Sequence, residues 1–303
     1  MKLEELREKR GFNTEQYLVD KVKAINDFFR NENLDSAVIG LSGGIDSAVV
    51  VALLCKAAQE KYSPLKKILG ISMPIYTIGV TGQYTATDVV QNDFVPNYLV
   101  QYEQFEYRWA NLTKAMQGYL YAEDVETPFT VGQLAAIVRT PYLYFSVAKL
   151  QSRGYNPIVV GTTNRDEGAY IGFFGKASDA MVDLQPIADI HKSEVYKLAK
   201  LLGIPESIIN RTPVGDVFDG STDYDLIGAR YDNVEYFQLL DDYNIPRVEG
   251  INSVSHVMDK LAIQDEFTAI MNIHKKNAHK YKVGLPSRFI DVMLRKTNKN
   301  GGW

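Results

Sequence analysis

Two short strings hold residue types that could do chemistry together. The first is Ser42-Gly43-Gly44-Ile45-Asp46-Ser47. Adjacent glycines tolerate positive φ and let backbone N–H groups come close to a ligand. The Ser42 and Ser47 hydroxyls can donate to phosphate oxygens. Asp46 stands where a P-loop would carry its lysine. An aspartate beside a polyphosphate repels it unless a divalent cation lies between them, so the string points to a Mg²⁺-bound nucleotide and not to a bare anion. The second string is Gly161-Thr162, with a carboxylate, Glu167, five residues after Thr162. It suits the same nucleotide and metal. The plainer alternatives are an Asp46 that merely caps a helix and a Glu167 that opens one at the surface.

These residues need elements that aim them at one point. Ala37 to Leu41 is a short apolar run, read as a buried strand. From Ile45 to Ala58, Ala, Val and Leu dominate, read as a buried helix. Strand, glycine turn and helix together direct N–H groups and a positive helix end at a phosphate, with Gly40 and Leu41 leading into the turn and Ile45 out of it. Ile68 to Met73 and Ile158 to Gly161 read as further buried strands. In an open parallel sheet, ligands sit beyond the carboxyl ends of the strands, which places Ser72, Met73 and Thr162 at the correct edge. Helices are expected over Thr14–Arg30, from Val131 to Tyr155 with a kink at Pro141, from His191 to Leu202, and over 231–242, 251–260 and 264–277. A short third strand is expected within 98–105, a helix near 108–121 and another over 86–92. Residues 1–12 are charged and expected to be loose.

The fold class is therefore α/β: a doubly wound, mainly parallel sheet flanked by helices. It comprises a nucleotide-binding core over 36–205 and a C-terminal helical cap over 206–303, in one domain.

Ser42 to Ser47 resembles the pyrophosphate loop of the ATP pyrophosphatases, which split ATP between its α and β phosphates. Later motifs resemble the NAD synthetases within that superfamily and extend from about 36 to 286. Thr162 and Glu167 match Gly-Thr-x-x-x-x-Glu. Lys176, Asp183 and Pro186 fall into register with a Gly-x-Phe-Thr-Lys-x-Gly-Asp loop and its following Asp-x-x-Pro, although Gly175 and Ser178 replace the Thr and second Gly. Lys192-Ser193-Glu194-Val195 matches Lys-x-Glu-Val. Arg139 matches one of two arginines, the other falling on Ile137. Val214 and Tyr224 replace a hydroxyl residue and a glutamate of two further motifs, and Asp223 is expected to be an acid at the site's edge. His279-Lys280 matches a carboxyl-terminal His-Lys, with His274-Lys275 as a competing register.

The resemblance implies an adenine nucleotide alpha-hydrolase-like fold and amidation of deamido-NAD with ammonia through an acyl-adenylate. It implies ATP held by residues 40–47, Thr162 and Lys192, and Mg²⁺ held by Asp46 and Glu167. Asp46, Lys176 and Lys192 would serve catalysis. Arg139, Lys176, Asp183, His279 and Lys280 would contact deamido-NAD. A homodimer is the implied assembly. Another ATP-cleaving amidase, a tRNA modifier or a non-catalytic ATP binder are the rival readings.

Composition narrows these. The chain has 303 residues and a net charge of −4 without basic blocks, which weighs against a nucleic-acid binder. One cysteine, Cys55, lies in the apolar helix, where a small core residue is expected and not a nucleophile. No apolar run reaches the roughly 18 residues of a membrane span, and the charged first ten residues do not read as a signal peptide. A cytoplasmic location is expected, with ammonia as the nitrogen donor because there is no room for a glutaminase domain.

Overall fold

Short apolar runs without alternation demand burial on both faces, and the sheet supplies it. In the computed structural model, which describes residues 1–75, 89–120, 127–211, 222–282 and 288–289, six strands lie in the order β3-β2-β1-β4-β5-β6. They are β1 Ser36–Gly40, β2 Lys67–Ser72, β3 Phe105–Trp109, β4 Pro157–Val160, β5 Leu184–Gln185 and β6 Arg288–Phe289. Every described pairing is parallel. The chain moves outward through β2 and β3, then returns to lay β4 on the other side of β1. That reversal opens a crevice at the carboxyl ends of β1 and β4, the place where doubly wound sheets bind ligands.

Helices cover both faces. The helix Ile45–Gln59 is buried almost throughout, packed between the sheet, helix Thr14–Asn31 and helix Lys192–Leu202. Cys55 is fully buried there and burial pushes its thiol pKa up, which suits core packing and not nucleophilic work. On the opposite face, helix Pro128–Gln151 contacts β1 and β4 and carries Pro141 inside it. Asn13 caps Thr14–Asn31 by accepting from the Gln16 N–H at 2.8 Å. Gly203, at φ +71°, ends Lys192–Leu202 in a left-handed cap.

Several expectations are corrected. Residues 1–12 are not loose: Leu3–Arg10 is a helix whose Leu6 is fully buried against the C-terminal helices, with Arg7 paired to Glu235 at 2.6 Å. The third strand falls at 105–109, after 98–105, and the following helix is Thr113–Leu120. The segments 251–260 and 264–277 are not two helices; Val257–Asn277 is one continuous helix, preceded by a short one at Arg247–Asn252. The two-residue strands β5 and β6 carry too little pattern to be read from sequence. Of the expected helix over 86–92, the described part from Val89 on is helical and forms a π-helical turn at Val90–Phe94. The motifs at 212–217 and 283–287 lie outside the described residues.

Candidate functional site

The cradle forms as its residue types require. Gly43 adopts φ +81°, which a side chain would strain. The Gly44 N–H donates to Ser42 Oγ at 3.2 Å, and Ser47 Oγ donates to the Gly44 carbonyl at 3.0 Å. The Ser42 and Ser47 hydroxyls lie 3.1 Å apart. These are short, exchangeable partners of the kind that phosphate oxygens replace.

Beside the cradle is a cavity of about 160 Å³, lined by Gly40, Leu41, Ser42, Met73, Arg139 and Thr162 among others. Arg139 donates from Nε to the Met73 carbonyl at 3.2 Å, so its guanidinium is anchored to the end of β2 at the cavity wall. Gly161 has a packing reason as well: a Cβ there would stand 2.4 Å from Gln185 Oε1. That oxygen accepts the Thr163 N–H at 3.1 Å and helps fix the turn after β4.

Asp46, Glu167 and Lys192 come from three distant parts of the chain and meet at the cradle. Lys192 Nζ lies 2.5 Å from Asp46 Oδ2 and 3.6 Å from Glu167 Oε1. Asn164 joins the two acids, donating from Nδ2 to Asp46 Oδ1 at 3.0 Å and to Glu167 Oε1 at 2.8 Å. The Tyr231 hydroxyl lies 3.1 Å from Glu167 Oε1 and 2.8 Å from Asp223 Oδ2. One phenol proton serves only one of them at a time.

Burial raises Glu167 to about 8, and repulsion from Asp46 adds to it. Burial alone would lower the Lys192 ammonium, but Asp46 and then Glu167 more than offset it and hold Lys192 above its ordinary value. Two acids thus share one ammonium, and negative charge is left under-compensated.

All the donors on these two acids are oxygens. Mg²⁺ takes oxygen ligands and commonly binds through one or two carboxylates plus substrate phosphates. The pair therefore fits Mg²⁺, which would favour the ionised form of Glu167 that burial and Asp46 disfavour.

Lys192 is placed from behind by a second set of polar groups. Its backbone N–H donates to Asp166 Oδ2 at 2.7 Å, so Asp166 caps the helix from across the chain. Asp166 Oδ1 lies 2.6 Å from His191 Nδ1, with both side chains fully buried. Burial raises Asp166 to about 7 and, with Arg10 next, lowers His191 to about 3. The contact is accordingly a hydrogen bond of a neutral imidazole and not an ion pair.

Other expected site residues lie apart from this group. Asp183 Oδ2 accepts the Val159 N–H at 2.8 Å, which holds the chain before β5 to β4. Lys176 is exposed, and among the described residues no hydrogen bond or ion pair ties it to Asp46 or Glu167. Lys280 donates to the Gly172 and Phe174 carbonyls at 3.0 and 2.6 Å. His279 is exposed, with Nδ1 3.1 Å from the Lys276 carbonyl. In the competing register, His274 stacks on Tyr170 with centroids 4.0 Å apart.

Asn164, Tyr231, Asp166 and His191 were not singled out by sequence. Asn164 alone had a local signal, an amide three residues before Glu167. The others become visible only when distant segments fold together.

The model of the NAD synthase family matches residues 17–284. The NH(3)-dependent NAD(+) synthetase of Thermoplasma volcanium is 30% identical over 266 residues, covering 87% of this chain and 95% of that protein. Among solved structures, NMN synthetase from Francisella tularensis superposes with a TM-score of 0.69 at 26% identity, covering 90% of this chain and 98% of the other. The NH3-dependent NAD synthetase from Campylobacter jejuni superposes with a TM-score of 0.65, covering 90% and 98%, and at 22% identity shows the shared fold. A cradle closing on two acids at the sheet's switch point, and similarity over nearly the whole chain, agree: this chain belongs to the NAD synthase family.

Proposed function

We propose that the protein amidates deamido-NAD with ammonia, consuming ATP and releasing AMP and pyrophosphate. A carboxylate is a poor acyl donor because its leaving group would be oxide. Attack of the substrate carboxylate on the α-phosphorus of ATP forms an acyl-adenylate and expels pyrophosphate, after which ammonia displaces AMP. The chemistry needs no protein nucleophile, only positioning and charge stabilisation. The observation that carries this reading is the Asp46–Glu167–Lys192 group at the rim of the cradle.

Residues 42–47 hold the departing phosphates through backbone N–H groups and hydroxyls. The residues that would hold Mg²⁺ are Asp46 and Glu167; when bound it offsets the negative charge that builds up as pyrophosphate leaves. Lys192, held by Asp46 and Glu167, would supply a further positive charge beside the phosphates. Arg139 and Thr162 line the nucleotide cavity, and Lys176 serves the substrate side. The exposed Tyr119, Ile137 and Phe145 support a homodimer. Among the described residues no helix is long and apolar enough to cross a membrane.

A second reading differs only in the acceptor. Similarity to a protein named NMN synthetase favours the shorter nicotinic acid mononucleotide. Pyrophosphate release with Mg-ATP and ammonium, measured separately with the dinucleotide and mononucleotide acids, tests both. The first reading expects the higher kcat/KM with deamido-NAD, and AMP as the nucleotide product. A higher value with the mononucleotide selects the second, and ADP as product refutes both.

A further inference from the structure

From Glu167 to Lys176 the chain has one π-helical turn, Asp166–Tyr170, and irregular structure after it. A single helix end from elsewhere in the chain donates to its carbonyls. His274 Nδ1 donates to the Tyr170 carbonyl at 2.6 Å and Asn277 Nδ2 to that of Ile171 at 2.9 Å. Lys280 Nζ donates to the carbonyls of Gly172 and Phe174 at 3.0 and 2.6 Å. The Tyr281 hydroxyl donates to the carbonyl of Gly168 at 2.7 Å. Four side chains, within eight residues of one another, thus take up five carbonyls over residues 168–174.

Packing closes the same contact. Phe174 meets Tyr281 edge to face at 5.7 Å between centroids. Gly172 turns at φ +62°, and a Cβ there would stand 2.9 Å from Asn277 Cβ. The backbone of the segment has therefore been brought against the helix end as closely as glycine allows. Lys280 is half-buried; burial lowers its pKa, Asp179 opposes that, and Lys276 and Lys176 add to it. Lys176 is thus within electrostatic reach of Lys280.

We propose that the helix end 274–281 is a positioning clamp: Lys280 and Tyr281 set where Glu167 and Lys176 are presented, acting through the backbone between them and not by touching substrate. Each lost bond frees a carbonyl that water can satisfy, so the loss appears as local opening of 168–176.

This role rests on the reading of Glu167 and Lys176 as site residues, so one arm of the test is independent of it. Exposed Lys176 is itself a tryptic site. In Lys280→Met without substrate, mass-resolved cleavage after Lys176 should accelerate about tenfold relative to wild type, as expected for one or two buried hydrogen bonds. Under turnover the same variant should lose about tenfold in kcat with KM for deamido-NAD within about twofold. Tyr281→Phe, which removes a single hydroxyl, should move both readouts in the same direction by less and guards against misfolding of the lysine variant. Cleavage at the wild-type rate in both variants overturns the clamp. A raised KM for deamido-NAD with unchanged kcat and unchanged cleavage also overturns it, and makes Lys280 a direct substrate contact. Faster cleavage in an enzyme that never turns over deamido-NAD keeps the clamp and refutes the substrate.

Discussion

Among the described residues, two lysine–aspartate pairs lie under the surface, and they do opposite work. Lys21 and Asp189 are both fully buried; Nζ lies 2.9 and 3.0 Å from the two carboxylate oxygens, and the Tyr17 hydroxyl donates to Oδ1 at 2.9 Å. One ammonium there meets one carboxylate squarely. Lys192 meets Asp46 at 2.5 Å but also faces Glu167 at 3.6 Å. One ammonium there serves two acids beside the cradle. Matched charge makes the first pair a fixed joint between helix Thr14–Asn31 and the loop before Lys192. Mismatched charge at the second is what fits it to the proposed role of holding a cation. Burial is shared; the count of opposing charges separates scaffold from chemistry.

The comparison is broken hardest at the matched pair. Removing one partner of a buried ion pair strands the other, which costs about 3–5 kcal/mol. Lys21→Met should lower the free energy of unfolding by that order in a denaturant titration. Turnover per folded molecule should hardly change, because Lys21 and Asp189 are bonded to each other and are not members of the Asp46–Glu167–Lys192 group. A variant of wild-type stability would show that Lys21 stabilises nothing.

At the shared lysine the effects should invert. Asp46→Ala leaves Lys192 still opposed by Glu167, so the fold should survive with a melting temperature near wild type. Pyrophosphate release should fall by about 10² to 10³, the usual loss of one preorganised electrostatic partner. Near-normal turnover would remove Asp46 from the metal site.

The smallest effect tests the mismatch itself. Glu167 is raised to about 8, with burial the larger cause and Asp46 the next. A carboxyl raised in this way contributes stability that is fully present below its ordinary range near 4.3 and is lost as pH rises through about 8. Without metal, Glu167→Gln should therefore be more stable than wild type at pH 9, by an order of 1 kcal/mol or more. The difference should shrink as pH falls toward the ordinary value. Thermal melts across that range decide it; a pH-independent difference would mean that Glu167 is not strained by its neighbour.

What could be read without coordinates was local and repetitive. Ser42 to Ser47 after an apolar run specified the cradle, because strand, turn and helix are neighbours in the chain. Helix Lys192–Leu202 was legible from its glycine cap, and helix 231–242 from its periodicity. Asp46, Glu167 and Lys192 could be nominated individually, since each sits in its own short motif. The N-terminal helix was missed because one buried leucine and several charges carry no periodic signal; its partners are Glu235 and Asp232, more than 200 residues away.

The tertiary structure alone decided how the charges count. Lys21 and Lys192 look alike along the chain, and only their surroundings show that one is matched and the other divided. Lys280 shows the same limit: a motif could nominate it for substrate, but the fold put its ammonium on the carbonyls of Gly172 and Phe174. Residue type and spacing determine which chemistry a side chain can offer. Electrostatic balance depends on distances between residues far apart in sequence, and those exist only once the sheet has brought β1, β4 and the C-terminal helices together.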